Sequence, residues 1–329
     1  MKRRAFAALA QAMPTGSRLL LLIEKTTIGL GEAWAAQLKL SCDLRVVPVQ
    51  GTMRDVDLWI QDPLLVAEHN GLPLLLPLQD TDHAGQHAKW LTQAGCRLGL
   101  APPLHLTGGN MLTGKNFRLV GASSIENTKR IGDRPVTIEE ALAGHAALDA
   151  RPVHVFGFNL PRRGDKPGLA QQPHHLDLVV SLTGIDTADG RPVLFVADPR
   201  KTLDPDGPRM VGWAEQLDAS VDRLTADGFA VLRNKVPYLP HPIYAPNPML
   251  RAYNNVIVEN DIRFEQGKSR PLVWMPQFGD LEPELALYDS ANRLAWEELG
   301  FESIPVYGWS AMTRAGGALR CASKVLTRR

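Results

Sequence analysis

The chain has 329 residues, 44% of them hydrophobic and 22% charged, with a formal net charge of +1. That is enough apolar material for a sizeable core, and it argues against disorder. The near-neutral balance and the lack of an aromatic-basic tract exclude phosphate neutralisation on a nucleic-acid scale, so no nucleic-acid partner is expected.

The opening MKRRAFAALAQAM has a basic start and small residues. Pro14 and Gly16 stop its apolar stretch too soon for a secretory signal, so it reads as a short terminal helix. No later segment has roughly 18 consecutive apolar residues, so no membrane partner is expected and a cytoplasmic location is the default. Next come a strand over Leu19–Ile23, a helix around Gly31–Leu38 and a strand near Leu44–Pro48. Another strand is predicted from Leu58 into LLVAE, interrupted at Asp62 and Pro63, where polar chemistry can face a cavity.

His83–Ala94 has a helical pattern stopped by Gly95, and Met111–Gly121 reads as a hairpin turning at Gly114. Thr137 and Glu140 form a capping box for a helix whose face includes His145, read as a packed residue and not a catalyst. HLDLVVSL and PVLFVA are strands around the TGIDTADGR turn, followed by a helix over Asp218–Gly228 and the strand AVLRN. The prolines at 237, 240, 242, 246 and 248 predict a rigid loop, a crossover or a lid, because proline lacks a backbone donor. NNVIVEN and PLVWMP are strands, Asp280–Leu299 is an amphipathic helix facing inward through Leu287, Ala291, Leu294 and Leu299, and GALRCASKVL is a terminal strand. Alternating strands and helices of this kind indicate an α/β fold class.

Three cysteines, Cys42, Cys96 and Cys321, without CxxC spacing leave at least one thiol free and indicate neither a disulfide framework nor a metal site. His83 and His87 would share a helix face but lack a metalloprotease context, so they read as a surface pair and no metal is expected. On a strand, His175 and Asp177 share a face while His174 points away. Cys321 follows Gly316 and Gly317 and adjoins Arg320, whose charge favours a thiolate. These residues alone leave open a buried core cysteine and a simple polar pair.

LWIQDPLLV, TGGNMLTG, HLD, YNNVIVEN followed by WMPQFGD, and GGALRCASKVL occur in order from about Leu19 to Leu326. Together they resemble the guanidino-modifying superfamily of peptidylarginine, free-arginine and agmatine deiminases and related amidinotransferases. The resemblance implies a five-module pseudo-symmetric α/β propeller of the pentein kind, with residues 1–15 an N-terminal extension and 16–329 one catalytic domain. It implies that Cys321, His175, Asp177 and Asp62 converge as catalytic residues, with Asp62 and Asp177 binding substrate; Trp59 is a further candidate for a substrate contact or a core aromatic, and Asn110 for orienting substrate or closing the GG turn.

The implied reaction is hydrolysis of a non-peptide C–N bond in a guanidino small molecule or peptidyl arginine, through a Cys321 thiouronium intermediate, without a cofactor. Two carboxylates hold the planar cation, the thiolate attacks its carbon, and His175 carries protons. Amidine transfer and noncatalytic guanidinium binding are the rival functions, and homo-oligomers are allowed. Two departures stand out: Thr107 replaces an acidic residue common before the GGN segment, and Arg320 replaces a histidine common before the cysteine. Asp55 and Asp57 are further electrostatic candidates, and Arg54, Arg251 and Arg314 are candidates for a substrate carboxylate.

Overall fold

The computed structural model describes residues 2–49, 58–70, 72–78, 84–131, 134–157, 173–199, 208–241, 245–260 and 270–326. One unit recurs through the chain: two antiparallel strands, a helical crossover, and a third strand parallel to the second. Strands Leu64–His69, Leu72–Pro77 and Arg97–Leu98 form it around the helix Ala84–Gln93. Met111–Thr113, Arg118–Gly121 and Val153–Phe156 repeat it, with Ile138–Ala146 among the crossing helices. Val180–Asp186, Pro192–Asp198 and Ala230–Lys235 follow, crossed by Pro208–Ala226. Ile257–Glu259, Leu272–Pro276 and Glu302–Val306 come last, crossed by Ala286–Glu298. Near the N-terminus, Arg18–Glu24 and Asp43–Val49 pair in parallel across Ile28–Ala36.

Local chemistry explains much of this. The predicted capping box is present: Thr137 Oγ1 accepts from the Glu140 N–H at 3.2 Å, and Glu140 accepts from the Thr137 N–H at 2.9 Å. At the other end of that helix, buried Arg118 donates to the carbonyls of His145, Ala146, Asp149 and Arg151, satisfying acceptors that a helix end leaves open. His145 is fully buried and contacts Thr128 Oγ1 at 3.2 Å. Burial, with help from Arg118, pushes it down to about 4.

The terminal helix Lys2–Ala12 joins the main core through buried Ala5, Leu9 and, just beyond it, Met13, and its Ala12 carbonyl accepts from Trp274 Nε1 at 2.9 Å. Trp309 and Leu319, both 0% exposed, lie in the same core as Cys321. Burial of each contributes on the order of 1.5–3 kcal/mol.

Several expectations are corrected. Residues 58–63 form turns, not strand, and the strand starts at Leu64, because Pro63 has no N–H to pair and the Asp62 N–H closes a turn on the Trp59 carbonyl at 3.0 Å. The proline-rich segment is a hairpin of Tyr238–His241 and Ala245–Leu250 that sets Pro240 opposite Pro248. A two-stranded ribbon tolerates proline wherever the N–H would point outward. Its base is tied by Arg251, which donates to the Leu239 and Met249 carbonyls at 3.0 and 2.6 Å.

Helix Ala286–Glu298 faces inward through Asp289, Asn292 and Trp296, while Leu287 and Leu294 are exposed. Asp289 is buried because it accepts from the Phe278 and Gly279 N–H groups and from the Tyr253 hydroxyl. His87 is buried edge-on to Trp90, with ring centroids 5.0 Å apart, and so is not a surface residue; His83 lies outside the described residues. No helix among the described residues is long and apolar enough to cross a membrane.

Candidate active site

Four turns meet beside the main core. In the first, Asp62 is held by its surroundings: its carbonyl accepts from the Gly108 N–H at 3.0 Å and its Oδ1 from the Gly109 N–H at 3.1 Å. The neighbouring Gln61 N–H donates to the Cys321 carbonyl at 3.1 Å, tying this turn to the Cys321 segment.

The second turn, Gly108–Asn110, reveals the convergence. A Cβ added at Gly109 would lie 2.7 Å from Asp62 Oδ1, 2.9 Å from His175 Nδ1 and 3.2 Å from Asp177 Oδ1. Three chemically active atoms therefore surround one point, which only a glycine leaves clear. Asn110 spends its amide on structure, donating to Ser123 and Ser124 hydroxyls at 2.9 and 2.8 Å and accepting the Leu176 N–H at 3.2 Å. These bonds make Asn110 a tie between the second and third turns.

That third turn is the short helix Leu176–Leu178, not a strand. The Leu176 N–H is taken by Asn110, and the strand begins only at Val180. His175 and Asp177 reach one site through a tight turn instead of strand alternation. His174 is also not on an opposite face: its ring is 4.3 Å from that of His175. His175 Nδ1 lies 3.5 Å from Asp62 Oδ1 and Nε2 lies 3.1 Å from Thr107 Oγ1. Thr107, the departure noted in the sequence, supplies a neutral hydroxyl partner to the imidazole.

The fourth turn carries Cys321. Residues 317–326 contain no strand; the Ala322 N–H returns to the Ala318 carbonyl and the Ser323 N–H to that of Arg320. The organiser is Asn255, 0% exposed. Its Oδ1 accepts the N–H groups of Ala318 and Cys321 at 3.2 and 3.0 Å. Its Nδ2 therefore faces Cys321 Sγ at 3.1 Å and the Asp177 carbonyl at 3.2 Å. Trp59 donates Nε1–H to the Ala315 carbonyl at 3.0 Å, and a Cβ at Gly317 would meet its ring at 2.9 Å and Cys321 Cβ at 3.0 Å. The tryptophan ring thus packs over Gly317 beside the thiol.

Electrostatics at the thiol oppose ionisation. Cys321 is 3% exposed, and its Sγ lies 3.6 and 3.9 Å from the Asp177 oxygens. Burial first, then the Asp177 and Asp62 charges, push the thiol well above its ordinary range, with Arg320 acting the other way. Lys324 donates to the Gln61 carbonyl at 3.3 Å and to that of Leu64. Burial, then Arg320, push its ammonium down to about 7.

The structure therefore brings Asp62, His175, Asp177 and Cys321 together and sets Trp59 beside them. Arg251 does not face the site: it is fully buried in an ion pair with Glu282. Arg54, Asp55 and Asp57, and the side chain of Arg314, lie outside the described residues. Sequence reading missed Asn255 and Lys324. The NN doublet in YNNVIVEN was the available signal, but it reads as the start of a strand that in fact begins at Ile257.

No family model matches the chain, and no curated protein matches it. Solved structures do. An agmatine deiminase from C. jejuni superposes with a TM-score of 0.62 at 14% identity, covering 97% of this chain and 83% of that one. The agmatine deiminase of Enterococcus faecalis gives 0.61 at 11% identity, with 98% and 86% covered. At such identities the likeness establishes architecture, and function is argued from the site itself. The chain has the fold of these two agmatine deiminases.

Proposed function

We propose that this chain hydrolytically deiminates a guanidino substrate, whether free arginine, a peptidyl arginine or an arginine derivative. The observation that carries the reading is the meeting of Asp62, His175 and Asp177 around Gly109, with Asp177 in contact with Cys321. Two carboxylates suit a planar cation with several N–H donors. The superposed agmatine deiminases are consistent with this chemistry and put agmatine on the substrate list. In this reading the recurring units close as a five-module propeller around the site, within one domain spanning 16–329.

The thiol is neutral at rest, because burial and two carboxylates oppose its ionisation. A guanidinium between those carboxylates offsets their charge, and the thiol proton passes to His175 as Sγ bonds to the central carbon. The tetrahedral adduct collapses with cleavage of a C–N bond, and His175 returns the proton to the departing ammonia. Water then adds to the S-alkylthiouronium carbon, giving a proton to His175. The C–S bond breaks as the adduct's hydroxyl proton passes to sulfur, leaving a neutral ureido product and the free thiol, and His175 releases its proton to solvent.

The test is a panel of free arginine, agmatine and arginine-containing peptides, followed by ammonia release and by mass spectrometry of the product. Cys321→Ser is expected to fold and to lose multiple turnover. Unchanged turnover in that variant, or no deimination anywhere on the panel, refutes the reading.

A further inference from the structure

We propose that Arg320 is a built-in stand-in for the substrate, its own guanidinium occupying Asp177 until an incoming planar cation displaces it. The inference rests on the reading of this site as a guanidinium pocket and adds the residue that controls entry. Arg320 Nη1 donates to Asp177 Oδ2 at 2.6 Å, a short, charge-assisted contact. The Asp177 side chain is 0% exposed, whereas that of Arg320 is 23% exposed. A carboxylate with no exposure touches no ligand until a neighbour moves.

The neighbours of Asp177 differ in their freedom to move. Asn255 and Cys321 are buried at 0% and 3% exposure and bonded to each other. Arg320 alone of the three combines a long flexible side chain with a solvent-exposed portion. Its main chain is anchored, the N–H donating to the Asn255 carbonyl at 3.2 Å, so swinging the side chain opens Asp177 without disturbing Cys321. Across the site, the Asp62 and His175 side chains keep 11% and 15% exposure.

The chemistry of the exchange gives the arrangement a use. Baring a buried carboxylate is costly, but replacing one guanidinium with another never leaves it unpaired. A planar fork with a permanent charge matches the contact, whereas a neutral amide does not. Asp177 therefore favours a cation over an uncharged ligand, and Arg320 competes with that cation for the carboxylate. Deimination turns the cation into a neutral ureido group, after which Arg320 retakes Asp177 and the product is released.

The test compares Cys321 alkylation by chloroacetamidine, a planar cation, with that by its neutral counterpart chloroacetamide, read by peptide mass spectrometry. Wild type, Arg320→Gln and Arg320→Lys are used, with folding checked by circular dichroism and thermal melting. Arg320→Gln is expected to raise the amidine-to-amide rate ratio about tenfold or more, by freeing a charged acceptor for the cationic reagent. Because removing Arg320 alters thiol ionisation for both reagents, the ratio and not either rate is the readout. Arg320→Lys, which lacks the planar fork, is expected to fall between, and it carries the test alone if the glutamine variant does not fold. An unchanged or lowered ratio in a folded variant overturns the proposal. If wild type also turns over a guanidino substrate, only the stand-in role is lost. Equal rates with both reagents in every protein, without turnover, remove the guanidinium pocket as well.

Discussion

Replacing Asn255 tests how the Cys321 thiol is held. Asn255→Asp keeps an acceptor for the Ala318 and Cys321 N–H groups, so the turn retains its bonds. It removes the donor that faces Sγ at 3.1 Å and adds a charge. A hydrogen bond to an ionised partner is worth about 1.5–3 kcal/mol. One pKa unit corresponds to about 1.4 kcal/mol, so its loss raises the thiol by roughly one to two units before the added charge counts. Asn255→Ala separates the two effects: it adds no charge but leaves two buried N–H groups unpaired, for a cost of about 2–6 kcal/mol in stability. The assay is the pH dependence of iodoacetamide alkylation at the Cys321 peptide, resolved from Cys42 and Cys96. Both variants are expected to move the profile to higher pH. A folded Asn255→Asp or Asn255→Ala protein with the wild-type profile would refute the argument that this amide stabilises the thiolate.

Gly109→Ala puts a methyl group among Asp62, His175 and Asp177, closer to the first two than a methyl tolerates. Turnover is expected to fall about 100-fold or more, with a stability loss of only about 1–3 kcal/mol by urea titration; normal turnover would contradict the convergence. Glu282→Gln leaves Arg251 buried without its counter-charge, and a loss of about 3–5 kcal/mol is expected in chemical denaturation, with the hairpin at residues 238–250 exchanging faster in hydrogen exchange. His145 is held neutral down to about 4 against an ordinary 6.5. Below pH 6.5 the unfolded chain takes up the proton first, so this group's contribution is fully present above that value and is lost toward pH 4. The slope is about 1.4 kcal/mol per pH unit at most. Denaturation midpoints of wild type and His145→Gln between pH 4 and 7 should show the flatter dependence in the variant.

What the sequence by itself determined is chiefly what neighbours along the chain decide. The capping box at Thr137 and Glu140, the stop at Gly95, the Gly114 hairpin and the alternation of strand and helix depend on contacts within a few residues, and each is present. The resemblance carried by the ordered motifs also singled out Asp62, His175, Asp177 and Cys321, four residues that do lie near one another. Tertiary structure decided the rest. Helix Ala286–Glu298 turns Leu287 outward and Asp289 inward, against its apolar pattern, because Asp289 satisfies N–H groups of the distant Phe278 and Gly279 turn. The Cys321 segment is a turn and not a strand because its N–H groups are claimed by Asn255, 66 residues away along the chain. Arg320, which reads locally as a cation for the thiol beside it, is instead bound to Asp177, 143 residues distant. Hydrogen bonds between such remote partners leave no period in the sequence, and they are what holds the thiol, covers one carboxylate and leaves the other partly open.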